Sequence, residues 1–324
     1  MIDRRRFLST SLAAVAGAAI LPARAQDAYP DRPIRLIVPY APGGGSDVLA
    51  RLVARRMSEQ LRCSVVVDNR GGAGGAMGLE TVIRSRPDGY TLVLLSTSHA
   101  SNGAVMKLNY DVVKDTSAVG LIAQGPWVLV VNHEVPVRNL QELVALARQK
   151  PGALNYASSG IGSSTHLATE LFAQKAGISV SHVPYRSSGL ALTDLLADRV
   201  QFMLASAASV APYLHDGRLR PLCVSTPARA ANLPDIPTAA EAGVSGFSVT
   251  LWHGLAAPAG MPDNAIQRLD GALTSILALP ELRAQFALEG LEPKASTPQE
   301  FAALVEKDVA VWRDIVRTAN IKLE

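Results

Sequence analysis

Cysteine is nearly absent. The 324 residues contain two, Cys63 and Cys223, far apart and each at or in a predicted strand. No spacing around them suggests a metal site, and two buried thiols are expected, because free cysteine usually packs as a small hydrophobe. The six histidines, His99, His133, His166, His182, His215 and His253, form no H-x-x-x-H or H-E-x-x-H pair, which argues against a catalytic metal. Beyond the N-terminal region no stretch reaches the roughly 20 apolar residues of a membrane helix. No run of lysine and arginine with interleaved aromatics is present, which argues against nucleic acid as a partner. Charged residues are scarce at 18% and hydrophobic residues reach 48%. That balance argues against disorder and for a sizeable core, in one large or two medium domains.

Residues 1–25 read as an export leader rather than as part of the fold. Arg4-Arg5-Arg6 is a positive start, residues 7–21 are an apolar stretch rich in alanine, and Ala23-Arg24-Ala25 is a small-x-small cleavage site. The mature chain is expected to begin at Gln26. Twin-arginine and Sec export both fit this leader. Its removal takes four of the 31 Lys+Arg and one of the 28 Asp+Glu, leaving 27 of each. The basic character of the chain therefore belongs to the leader and carries no message about partners.

What the chain does have is glycine-rich turns between strands and helices. A strand is predicted over 34–38, then Tyr40-Ala41-Pro42-Gly43-Gly44-Gly45-Ser46-Asp47, then a helix over 48–57. A second strand (64–69), a second glycine turn (70–75), a helix (77–84) and a third strand (90–95) complete a β-α-β-α-β pattern, the signature of parallel pairing. A polar loop is expected at Ser96-Thr97-Ser98-His99-Ala100-Ser101-Asn102. The apolar run 118–131 is too long for one strand and breaks at Gly125-Pro126, a natural place for the chain to change domains. The pattern then restarts. Asn139 caps a helix, residues 154–157 form a strand, and Ser158-Ser159-Gly160-Ile161-Gly162-Ser163-Ser164-Thr165-His166 is a second Gly/Ser turn before a helix over 167–176. Strands at 180–184, 200–204 and 219–225 alternate with helices at 190–196 and 209–215. Residues 226–246 read as a long connection with one short helix, 247–256 as a strand, and 264–319 as three helices that cover the first domain. Thr297-Pro298-Gln299-Glu300 orders a cap, a proline and an acid as a helix start requires.

Both turns place backbone N–H groups at a helix start, where an anion is favoured. The first is a poor phosphate cradle. A P-loop needs Lys after its last glycine, and Ser46-Asp47 stand there. A dinucleotide fingerprint needs a third glycine where Val48 sits, although Asp68 is placed as a ribose acid would be. Asp47 already complements the first helix dipole, so a carboxylate bound there would meet a like charge. The second turn has no acid from Ser158 to Leu167, which makes it the better seat for a carboxylate. Ser163, Ser164 and His166 are too close along one helix start to face one another for proton transfer, and no G-x-S-x-G elbow exists. His166 reads as a packed, hydrogen-bonded histidine. Trp127 and Trp252 fall near the two predicted domain crossings, either in the core or lining a cleft.

At these residues the chain resembles the solute receptors of tripartite tricarboxylate transporters, the Bug receptors. The resemblance rests on Val38-Pro39-Tyr40-Ala41-Pro42-Gly43-Gly44-Gly45-Ser46-Asp47, Asn69-Arg70-Gly71-Gly72-Ala73-Gly74-Gly75, Pro87-Asp88-Gly89-Tyr90-Thr91-Leu92, Ser159-Gly160-Ile161-Gly162-Ser163-Ser164-Thr165-His166-Leu167, Val183-Pro184-Tyr185-Arg186 and Pro237-Thr238-Ala239-Ala240-Glu241-Ala242-Gly243. It implies a two-domain α/β fold of the type II periplasmic-binding-protein kind, with a cleft between the domains. Residues 26–126 plus 247–324 would form domain 1 and residues 127–246 domain 2. It implies a periplasmic, monomeric receptor with no enzymatic activity and no cofactor, which delivers a small carboxylated solute to membrane transporter subunits. By the resemblance the solute is gripped by Tyr40, Pro42, Gly43, Gly44, Ser46 and Asp47 from one side and by Ser159, Gly162, Ser163, Ser164, Thr165 and His166 from the other. Thr97, Asn102, Tyr185, Ala205 and Ser206 complete the cleft. The competing reading is an exported Rossmann-type dinucleotide-binding oxidoreductase.

Overall fold

In the computed structural model the described residues are 29–43 and 45–318. The expected leader, its cleavage site and Gly44 lie outside them. The predicted βα units form where the apolar runs place them. β1 (Ile34–Val38) leads to α1 (Gly45–Leu61), β2 (Val65–Asn69) to α2 (Ala76–Ile83), and β3 (Thr91–Ser96) to α3 (Thr97–Val105). The run 118–131 is two strands, β4 (Thr116–Gly125) and β5 (Trp127–Asn132), parted at Pro126. Then come α4 (Leu140–Gln149), β6 (Asn155–Ser158), α5 (Ser164–Ala176), β7 (Ser181–Pro184), α6 (Ser188–Leu196), β8 (Phe202–Ser206), α7 (Ala207–His215) and β9 (Leu219–Val224). The chain ends with β10 (Leu251–Pro258), α8 (Asp263–Leu277), α9 (Pro280–Leu288), β11 (Glu292–Pro293) and α10 (Pro298–Thr318).

Two mixed sheets result. The first has the order β11-β4-β10-β3-β1-β2 and the second β7-β6-β8-β5-β9. β1 pairs in parallel with β2 and β3, and β6 in parallel with β7 and β8. The strands that carry the chain between halves run the other way: β10 is antiparallel to β3 and β4, and β5 to β8 and β9. In both sheets the parallel strands end on glycine-rich or serine-rich turns at the same edge, the edge where open α/β sheets bind ligands. Ser225 ties the two crossings together. It accepts Trp127 N at 3.0 Å and donates to Val249 O at 2.7 Å.

Side-chain alternation along β1 divides the first half's core. Ile34, Leu36 and Val38 pack toward Leu49 and Val53 of α1 and Leu273 and Ile276 of α8. Ile37 faces the opposite cluster, with Val93, Leu95, Trp252 and Phe301. That second cluster continues unbroken through Trp127 and Phe247 to Phe172 and Phe202 of the other half. The C-terminal helices do cover the first sheet, and Thr297 caps α10 as expected, with Glu300 returning a carboxylate to Thr297 N.

Several expectations are corrected. The polar loop at 96–102 is a helix start: Ser96 caps α3 and His99, three residues on, accepts Ser96 N through Nδ1 at 3.0 Å. Histidine in place of the usual Glu or Gln conceals this capping box. α5 begins at Ser164, not at Leu167, because Ser163 is its cap. No helix occurs among residues 226–246. Cys223 is buried, but Cys63 is half-exposed just beyond α1, and both are free. Trp252 does not line a cleft; it lies under α10 and donates to Asp308 at 2.7 Å, and Trp127 is buried as well.

Gly254 of β10 shows how closely α10 is seated. A Cβ built there would lie 2.1 Å from the Phe301 ring. Gly254→Ala is expected to cost about 3 kcal/mol, seen as a lower urea midpoint with an unchanged slope.

Candidate functional site

The first turn is closed upon itself. Asp47 is 4% exposed. Its carboxylate accepts Gly43 N at 2.9 Å, Arg51 Nε at 3.0 Å and Asn69 Nδ2 at 2.9 Å. Burial alone would raise its pKa, but these donors outweigh burial and hold it below the ordinary carboxylate range. Asn69 also donates to Tyr40 O at 3.1 Å. The Tyr40 hydroxyl meets Ser96 Oγ at 2.7 Å and the Ser46 hydroxyl meets His253 Nε2 at 3.1 Å. What remains open is the tip: Ala41, Pro42 and Gly43 are exposed.

The second turn is held differently. Ser158, at the end of β6, is fully buried and accepts Gly160 N at 3.1 Å. Thr165 Oγ1 accepts Ser159 N at 3.2 Å, and His166 Nδ1 accepts Gly162 N at 3.1 Å. Ser163 Oγ accepts His166 N at 3.2 Å. The first two N–H groups of α5, on Ser164 and Thr165, have no acceptor inside the helix, and its first turn holds no acid. This is an electrostatically unfilled helix start, whereas that of α1 is filled by Asp47.

The two turns belong to different sheets and the halves meet beside them. Ser98 Oγ of α3 is 3.3 Å from Ser164 Oγ of α5. Gly162, at φ +75°, sits against Val105 so closely that a Cβ would lie 2.9 Å from its Cγ2. Tyr185 follows β7, donating its N–H to Ser158 O at 3.1 Å and its hydroxyl to Asp194 at 2.8 Å. Ala205 is buried in β8, and Ser206 precedes α7 without a side-chain capping bond. Thr97 and Asn102 are turned into the scaffold. Thr97 Oγ1 accepts Trp252 N at 2.9 Å, and Asn102 donates to Gly74 O at 3.0 Å. Sequence reasoning passed over Ser98, Ser158, His99, His182 and His253. Ser98 and His99 had a signal in their place among the polar residues after β3, and Ser158 in its place at the head of the second turn; His182 and His253 had none.

The arrangement is not that of a hydrolase. Ser163 bonds the main chain of His166, not its ring, and the ring accepts from Gly162. Ser158 and His182 Nε2 are 2.6 Å apart, but Ser158 is sealed from solvent and also bonds Gly160 through both N–H and carbonyl. The dinucleotide reading loses its ribose acid, because Asp68 is held by Arg35 and Arg70.

A family model described as "Tripartite tricarboxylate transporter family receptor" matches residues 49–321. The chain belongs to this family. Protein BugT of Bordetella pertussis is 34% identical over 313 residues, spanning 96% of each chain. Among solved structures, an R. palustris protein with adipate superposes with a TM-score of 0.84 at 36% identity, covering 90% of this chain and 99% of that one. MatC of Rhodopseudomonas palustris, with bound malate, gives a TM-score of 0.81 at 29% identity, covering 89% and 100%. The two α/β halves with mixed sheets match the two-domain arrangement of these solved periplasmic binding proteins, which have a cleft between their domains.

Four histidines back these turns, each kept neutral. Burial pushes His99, His166 and His253 from 6.5 down to about 4. Burial, with His166 beside it, pushes His182 to about 3. Below pH 6.5 the unfolded chain therefore binds protons that the folded one refuses. Stability is expected to be level between pH 7 and 8 and to fall as pH drops from 6.5 to 4, measured as the urea midpoint. A His99→Gln, His253→Gln double variant is expected to flatten that fall.

Proposed function

We propose that this protein is a periplasmic receptor that closes on a small carboxylated solute and passes it to a tripartite tricarboxylate-type membrane transporter. The observation that carries the proposal is the acid-free start of α5, whose first N–H groups lack acceptors while its counterpart on α1 is occupied by Asp47. A carboxylate seated there takes the N–H groups of Ser164 and Thr165, with Ser159, Gly162, Ser163 and His166 shaping the seat. From the other half, the open tip at Pro42 and Gly43, with Tyr40 and Ser46 behind it, reaches the solute through main chain and bridging water. Tyr185, Ala205 and Ser206 border the space at the ends of neighbouring strands. The relatives with adipate and malate support a carboxylate as the recognised group.

In this reading the halves are residues 26–126 plus 247–324 and residues 127–246, hinged where Ser225 joins both crossings. The leader is removed near Ala25 on export, and the receptor acts as a monomer without chemistry of its own.

The test is a thermal-shift and calorimetric titration with adipate, malate and a panel of other carboxylates. A ligand at 100 times its Kd should add about 2.7 kcal/mol of stability. Ser164→Asp supplies the missing acid. It should cost the free protein some stability, because Ser164 is buried against Ser98, a cost partly offset because an acid suits a helix start, and it should weaken carboxylate binding at least about tenfold. Undiminished binding by Ser164→Asp would place the carboxylate elsewhere.

A further inference from the structure

Resting on the carboxylate seat just described, we propose that His182 is a positioning residue for that seat. It lies on β7, outside the turn, and acts through Ser158 and His166. Ser158 Oγ lies 3.1 Å from both the carbonyl oxygen and the N–H nitrogen of Gly160. Its shortest contact is the hydrogen bond with His182 Nε2 at 2.6 Å. The beginning of the turn is thus pinned by His182. Its end is pinned by His166, whose Nδ1 accepts Gly162 N at 3.1 Å.

The two pins are one body. The His166 and His182 rings stack with centroids 4.0 Å apart and planes 9° from parallel. Tyr156 of β6 lies against His182 at 4.8 Å and 17° and is itself fixed through its hydroxyl to Glu170 of α5. A stack rooted in three elements therefore grips the turn at both ends, with Gly160 and Gly162 at φ +129° and +75° between the grips. Inside the turn Thr165 Oγ1 adds a further hold, accepting Ser159 N at 3.2 Å and meeting the Ser159 and Ser163 hydroxyls. In this arrangement the stack fixes where the carboxylate-facing N–H groups point, and His182 never touches the solute.

The experiment begins with the unliganded protein, by residue-resolved amide hydrogen exchange at neutral pH. His182→Phe keeps a flat ring for stacking but removes the hydrogen-bond partner of Ser158. The amides of Ser159, Gly160 and Gly162 should exchange about tenfold faster, the loss of one buried hydrogen bond, while those of β6 and β8 keep their protection. Ser158→Ala should accelerate the same amides at least as much, because it also removes the two Gly160 contacts, and adding His182→Phe to it should change nothing further, because the connection between the two side chains is already broken. His182→Gln, which restores a polar partner for Ser158, should recover part of the protection. Unchanged exchange in His182→Phe would overturn the proposal. So would a parallel rise across the whole second sheet, which would mark a packing residue alone. Adipate and malate titrations of the same variants should show affinity falling with turn protection. If no acid of the carboxylate panel binds the native protein, the function proposed above fails while the exchange data still decide the role of His182.

Discussion

Asp47 turns its carboxylate back into its own helix, and much of the site's logic follows from that one interaction. A helix start carries roughly half a positive charge. At α1 that charge is met from within, by a side chain that also gathers Gly43, Arg51 and Asn69. The first turn is thereby stiff and electrically quiet. The start of α5 is left bare, capped by a neutral serine and backed by neutral histidines. Two similar strand–turn–helix units thus become unequal. One supplies a firm wall and the other a local field that favours an anion.

For the two to act together the halves must hinge without coming apart. The joint meets both demands with short covalent paths and a shared core. The chain crosses at Pro126 and again before β10, and Ser225 bonds both crossing strands at once. A continuous apolar cluster runs beneath the joint from Leu95 through Trp127 to Phe202. The turn at Gly290 adds a third contact; a Cβ there would meet Ala207 at 2.5 Å. In the proposed receptor, movement between the halves would be directed into rotation about the crossings, which is how domain closure is commonly achieved.

Much of this was legible in residues. Apolar runs between glycine turns marked the strands, Gly125-Pro126 marked the break between β4 and β5, and Asp47, with no acid at the second turn, marked which helix start is filled. What escaped was whatever depends on sheet register. His182 and Ser158 lie 24 positions apart and meet because β6 and β7 align Tyr156 with His182 and Ser158 with Pro184. Nothing in the chain announces that alignment. The start of α3 was hidden because imidazole replaced a carboxylate or amide in the capping box. β11 was hidden by its length of two residues. The spent side chains of Thr97 and Asn102 looked like cleft polarity because sequence shows a polar group but not its partner.

Recognition by main-chain groups divides affinity from selectivity. In the proposed seat the N–H groups of Ser164 and Thr165 would read a carboxylate and nothing beyond it, so they would not rank one acid above another. Ranking falls to side chains near the seat that are not already committed to the scaffold. By that criterion Thr97, Asn102 and Asp47 are excluded, and Tyr185 is partly excluded by its bond to Asp194. Ser206 stands at a helix start without a capping bond, and Ser98 has as its partner a hydroxyl from the opposite half. Ser98 meets Ser164 where the halves touch, so a solute polar group arriving there would exchange a contact between the halves for one to itself. Selectivity and closure would then draw on the same hydroxyl, and a solute that rewards closure would be the one retained.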